Sequence, residues 1–149
     1  MIQDVVPGIV LGERVEKLNA LGQPAGLVPG NKLLVPNTRL ALQGLEFARD
    51  NGKVQEWVAE VYKTSYVLDK NIGDIEVLIG IARQIGLDTV AFEQAVASEH
   101  YLPILLKTDQ ECMDKQLEWV PTIFSGSEKV LEGALTYEVF EKTLVSFQL

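Results

Sequence analysis

The chain has 149 residues, enough for one ordinary domain, and 47% of them are hydrophobic, enough for a core. Its formal net charge is −8, which excludes the basic footprint that a nucleic acid or an anionic membrane requires. No apolar run approaches the ~20 residues of a membrane span, no basic n-region precedes an apolar h-region, and the single cysteine, Cys112, has no partner for an internal disulfide, so a reducing, cytosolic setting is expected.

Residues 1–36 hold short apolar pieces. Ile2–Val6 and Ile9–Leu11, split by Pro7-Gly8, each read as a strand. Val15, Leu18 and Leu21 have helical spacing over Glu13–Leu21, with Gly22 as the stop. Pro24, Gly26, Pro29 and Gly30 then punctuate a loop.

From Asn37 the pattern is helical. Asn37 or Thr38 supplies the cap, because a short side-chain oxygen accepts an orphan N–H of the first turn. Ala41, Leu45 and Ala48 share one face, and Asn51-Gly52 ends the helix. Val54, Trp57, Val58, Val61 and Ser65 fall at i, i+3, i+4, i+7 and i+11, which predicts an amphipathic helix from about Lys53 to Leu68. After the turn Asn71-Ile72-Gly73, Asp74 caps a helix that buries Ile75, Leu78, Ile79, Ala82 and Ile85, with Gly86 just past its end. Asp88 caps a shorter helix through Phe92, Ala95 and Val96. Pro103 suits the first turn of another, running to about Leu117, with Leu105, Leu106, Met113 and Leu117 as its expected buried positions.

The pattern changes at Trp119-Val120-Pro121-Thr122-Ile123-Phe124. Proline has no N–H to give a sheet, so Pro121 belongs at the first position of a strand. It is also the residue for which a cis peptide bond is cheap. A cis bond at Val120-Pro121 would turn the preceding carbonyl and amide outward, where another backbone can pair with them. Ser125–Glu128 reads as a hairpin turn and Lys129–Leu131 as the return strand. Gly133 permits a bulge or a close approach, and Thr136 caps a last helix striped by Val139, Phe140, Leu144 and Phe147. With no charge run, repeat or low-complexity tract, a single domain spanning 1–149 is expected.

The remaining chemistry-bearing residues read as structural. Cys112 beside Met113 fits a half-buried structural thiol. His100 stands in a helix junction with no serine or cysteine partner in view. Asp109, Glu111 and Asp114 fit a solvated helix face better than a metal site. Trp57, Tyr62 and Tyr66 have the spacing of packing residues. No phosphate loop, His-x-x-x-His or Gly-x-Ser-x-Gly occurs, and no metal or other cofactor is expected.

The order of these pieces resembles the DsbA family of thioredoxin-fold proteins, in particular its branch of dithiol–disulfide isomerases and 2-hydroxychromene-2-carboxylate isomerases. Pro36–Leu42 and the helix through Ala48 to Lys53 resemble the start of that branch's helical insertion. Lys70–Leu78 and Ile85–Asp88 resemble its middle, Val120-Pro121-Thr122 its cis-proline strand, and Gly133–Phe140 its closing strand-to-helix turn. The resemblance implies a partial thioredoxin-like α/β fold: a helical insertion over about 37–118, then strand, hairpin, strand and helix over about 119–149. It also implies that Val120, Pro121 and Thr122 bind an extended peptide or a thiol protein.

The departures from the family bear on activity. Its redox members carry a Cys-x-x-Cys at a helix N-terminus, where one thiol is acidified and the second resolves the mixed disulfide. This chain has one cysteine and no such motif. Residues 1–33 are too short for the family's first strand, its helix and the next strand, so most of the first half of the fold is expected to be missing. The family's usual glycine before Val-Pro is Trp119 here. Three readings follow: a DsbA-like protein without dithiol activity as this chain stands; a peptide- or protein-interaction module that dimerises through an open edge at Thr122–Phe124, unless Ile2–Val6 or Ile9–Leu11 covers it; and a glutathione-dependent isomerase-like protein, whose serine would come from the missing segment.

Overall fold

The computed structural model describes residues 36–133 and 135–146, together with Glu16, Ala20 and Gln23. The strands expected at Ile2–Val6 and Ile9–Leu11, the helix over Glu13–Leu21 and the loop after it lie outside the described residues, those three positions excepted. The chain divides after Leu105 into two compact units.

The first unit is helical. Helix α1 spans Arg39–Asp50, α2 spans Val54–Tyr62 and continues into one π-helical turn at Lys63–Val67, α3 spans Ile75–Gln84, α4 spans Thr89–Ala97, and α5 (Leu102–Asp114) begins within it. The caps are local chemistry. Asn37, rather than Thr38, uses its side-chain oxygen, accepting the Arg39 N–H at 2.9 Å. Asp74 accepts the Glu76 N–H at 3.0 Å, and Asp88 accepts those of Val90 and Ala91 at 2.9 and 3.1 Å. At the C-termini the chain repeats one device. The Gly52 N–H reaches the Arg49 carbonyl and the Lys53 N–H the Ala48 carbonyl; Gly86 and Leu87 bond in the same way to Arg83 and Ala82, and Glu99 and His100 to Val96 and Ala95. These are paired Schellman bonds around a left-handed residue. Gly52 and Gly86 adopt it freely, whereas Glu99 adopts φ +53° despite its side chain.

Helix α2 runs past Tyr62 because the Leu68 N–H bonds to the Lys63 carbonyl, five residues back, at 3.0 Å. Thr64 and Ser65 of this widened turn are buried, and Tyr62, just before it, is exposed and stacked on Tyr66 at 5.7 Å. Tyr62 is therefore a surface residue, in contrast to the packing role its spacing suggests, and Val58 is exposed too.

The core of this unit is built on Trp57, which is fully buried. Its indole N–H donates to the Ala41 carbonyl at 3.2 Å, and its ring fills the space above Gly44. A Cβ on residue 44 would stand 2.2 Å from Trp57 Cζ2. Phe92 packs on Trp57 at 5.3 Å and edge-on to Phe47 at 5.5 Å, and Phe47 meets Tyr101 edge-on at 6.5 Å. Leu78, Ile79 and Ala82 of α3 and Val96 of α4 close the cluster, as their periodicity predicts. Tyr101 then ties the two ends of the unit: its hydroxyl donates to Asp50 Oδ2 at 2.6 Å across 51 residues.

The second unit holds the rest of α5, strand β1 (Thr122–Ser125), strand β2 (Glu128–Glu132) and helix α6 (Tyr137–Ser146). The strands form an antiparallel hairpin, and β2 is the only neighbour of β1 among the described residues. Gly126 takes φ +60° at the first position of the two-residue connection, where a type II′ turn requires it. Ser125 pairs with Glu128 and Phe124 with Lys129, but Ile123 pairs with Leu131, so Val130 is the extra residue of a bulge. Leu131 is the one buried hydrophobic residue of this unit among those described. Leu106 and Met113 on α5 and Val139 and Phe140 on α6 are exposed, although their spacing predicts burial; the apolar stripes are present but nothing described covers them. Phe147 lies outside the described residues.

Two outcomes test this account of the helical unit. Gly44→Ala should lower stability by about 1–3 kcal/mol through overpacking against Trp57, despite a helix-propensity gain of about 1 kcal/mol; a urea midpoint at or above that of the parent chain would refute it. Burial, with the Asp50 bond second, pushes the Tyr101 phenol from its ordinary 10.0 up to about 12. The unfolded chain therefore loses this proton first, and the Tyr101 contribution is whole below pH 10 and lost as pH rises through about 12. Urea titrations from pH 9 upward should show a steeper loss of stability for the parent than for Tyr101→Phe; parallel curves would sink the assignment.

Candidate functional site

The residues singled out by sequence, Val120, Pro121 and Thr122, stand together at the entrance to β1. The Val120–Pro121 peptide bond is cis. Pro121 precedes the strand, where its missing N–H removes no ladder bond, and its carbonyl accepts the Gly133 N–H at 2.8 Å. Gly133 reaches that position with φ +84°, a conformation open to glycine. The Pro121–Gly133 bond sets the phase of the ladder. Thr122 and Glu132, the next pair, fall at a non-hydrogen-bonded site, so the Thr122 N–H and C=O point away from β2.

Side chains hold the approach to this strand. The Thr122 hydroxyl donates to the Trp119 carbonyl. The Glu118 N–H donates to Glu132 Oε1 at 3.3 Å, while Glu132 Oε2 accepts from Lys129 Nζ at 2.7 Å. Lys129, opposed by partial burial and helped by the backbone N–H groups of Glu118 and Trp119, holds the Glu132 carboxyl below its usual range. Lys115 Nζ lies over the Phe124 ring, 5.3 Å from its centre. Trp119 and Val120 are left 67% and 84% exposed. The Val120 backbone N–H and C=O have no hydrogen-bond partner among the described residues. The result is an apolar knuckle beside outward-facing backbone groups, which is what β-strand addition uses: main-chain bonds for affinity and neighbouring side chains for selection.

The other chemistry-bearing residues lie elsewhere. Cys112 is half-buried on α5 with no disulfide. His100 packs edge-on against Tyr101 at 4.7 Å. On α5, Asp114 accepts from Gln110 at 2.8 Å and Glu111 lies 3.9 Å from Lys107; no group of three metal-ligating residues comes together among the described residues. Glu132 and Gly133 belong to the site as much as Val120 does. Gly133 is visible in sequence as a close-approach residue, but Glu132 is not: without the bulge at Val130, a two-residue hairpin would set Leu131 opposite Thr122. Among the described residues no helix is long and apolar enough to cross a membrane.

A helical unit followed by a proline-led strand, a hairpin and a closing helix defines a mostly helical α/β protein of the thioredoxin type. Over residues 14–145 the sequence matches the DSBA-like thioredoxin domain, and the chain belongs to that family. The family links it to thiol–disulfide oxidoreductases and isomerases. It is also 32% identical over 110 residues to uncharacterized protein YwbO of Bacillus subtilis (strain 168), an alignment covering 73% of this chain and 54% of that protein. The chain thus spans about half the length of this curated relative.

Proposed function

We propose that this chain is a DsbA-like protein that binds polypeptide, taking an extended segment at Val120–Thr122, with no dithiol exchange as the chain stands. The observation that carries the reading is the Val120 backbone, without a hydrogen-bond partner among the described residues, next to a Thr122 whose N–H and C=O point away from β2 and an exposed Trp119. Intramolecular dithiol exchange needs a second thiol to resolve the mixed disulfide, and Cys112 is the only cysteine of the sequence. Strand pairing would place alternate side chains of the ligand on the Trp119 and Val120 side, and the neighbouring Glu118, on a chain of net charge −8, favours basic residues between them. The ligand class is therefore an extended peptide of alternating apolar and basic residues.

A fluorescein-labelled peptide of alternating valine and lysine should bind in physiological salt and quench tryptophan emission, and Trp119→Ala should abolish the quench and weaken binding about tenfold. Equal affinity of the Trp119→Ala chain would remove the site. In an insulin-reduction assay neither the parent nor Cys112→Ser should turn over; dithiol turnover by Cys112→Ser would end the inactive reading.

A second reading rests on β1 itself. Thr122–Ser125 carries no charge, and β2 is its single neighbour among the described residues, so a second copy can pair along it as a symmetric, cytoplasmic dimer. Light scattering over a concentration series should show twice the chain mass, falling to one on introducing Ile123→Lys; a monomer throughout would leave the peptide reading alone.

A further inference from the structure

We propose that Glu132 is the positioning residue of this loop: its carboxylate ties the backbone of Glu118 to β2 and so sets where Trp119 and Val120 stand when an extended peptide pairs with Thr122. The inference rests on the peptide-binding reading above and assigns a role to a residue outside the Val-Pro-Thr motif.

The geometry is a two-point tether. One point is the Pro121 carbonyl, held by the Gly133 N–H at 2.8 Å. The other is the Glu118 N–H, held by Glu132 Oε1 at 3.3 Å. Glu132 and Gly133 are consecutive on β2, so three peptide units, from Glu118 to Pro121, are clamped at both ends by neighbouring residues of one strand. The segment between them carries the exposed Trp119 and Val120 side chains, and the Val120 backbone has no hydrogen-bond partner among the described residues. Lys129 fixes the carboxylate from below through its 2.7 Å bond to Oε2, which leaves Oε1 aimed at the loop. Glu132 can do this because the bulge at Val130 brings it, rather than an apolar residue, opposite Thr122. A carboxylate accepting backbone N–H groups makes stronger hydrogen bonds than a neutral acceptor does, so it suits a clamp on an otherwise exposed segment. Nothing in this tether touches the ligand itself; Glu132 acts through the loop.

The test compares Glu132→Ala and Glu132→Gln with the parent chain, using the valine–lysine peptide as probe. Glu132→Ala should weaken peptide binding about tenfold while the unfolding midpoint stays close to the parent value. Glu132→Gln, which keeps an acceptor oxygen at the same place, should recover binding to within about threefold. A separate measurement needs no variant: hydrogen exchange on the parent chain should find the Glu118 amide protected relative to the Val120 amide, with Val120 gaining protection on adding peptide. If Glu132→Ala binds as tightly as the parent, or if the Glu118 amide exchanges like an open amide, the positioning role is overturned while the peptide site stands. If the parent chain binds no peptide, the peptide reading falls and takes this inference with it. Should Glu132→Ala not fold, Glu118 protection and the Glu132→Gln affinity decide the matter.

Discussion

The helical unit depends on the fit of one indole against one glycine. Trp57 of α2 can be fully buried only because residue 44 of α1 has no side chain, and only because its polar N–H finds the Ala41 carbonyl, also on α1. Burying that N–H without a partner would cost more than the bond itself contributes. With Trp57 seated, α1 and α2 lie close enough for Phe92 to reach the ring, and through Phe92 the cluster extends to Phe47 and Tyr101. Helix propensity points the other way at Gly44, where alanine would be preferred in an isolated helix. The tertiary contact overrides it.

Much of this unit is legible in the sequence because its signals are local. Asp74 and Asp88 cap the helices they precede, Gly52 and Gly86 end theirs, and the spacing of Leu78, Ile79 and Ala82 marks a buried face. The misses share a cause. Glu99 and Gln116 occupy left-handed positions that glycine usually announces, and the bonds stabilising them run to carbonyls of the preceding turn, so no residue type signals them. The π-helical turn at Lys63–Val67 is likewise invisible, because one widened turn leaves the apolar period nearly intact.

At the C-terminal hairpin, local signals identify the elements but not their register. Gly126 marks the turn, and Pro121 marks the start of β1 because a residue with no N–H fits there and fits poorly further in. The bulge is carried by no distinctive residue, and it decides that Glu132 faces Thr122. The apolar stripes of α5 and α6 show the opposite limit of pattern reading. Their periods predict burial of Leu106, Met113, Val139 and Phe140, yet all four are exposed, because a period marks an apolar face and says nothing of whether anything covers it.

The hydrogen bond from Tyr101 to Asp50 has a consequence in time as well as in space. It joins residues 51 apart, and Tyr101 is the last aromatic of the Trp57 cluster to be synthesised. During synthesis the Tyr101–Asp50 bond cannot form until that tyrosine has emerged, after every other aromatic of the cluster. The strand that carries Val120–Thr122 is synthesised later still, so every aromatic of the cluster is in the chain before the candidate site is.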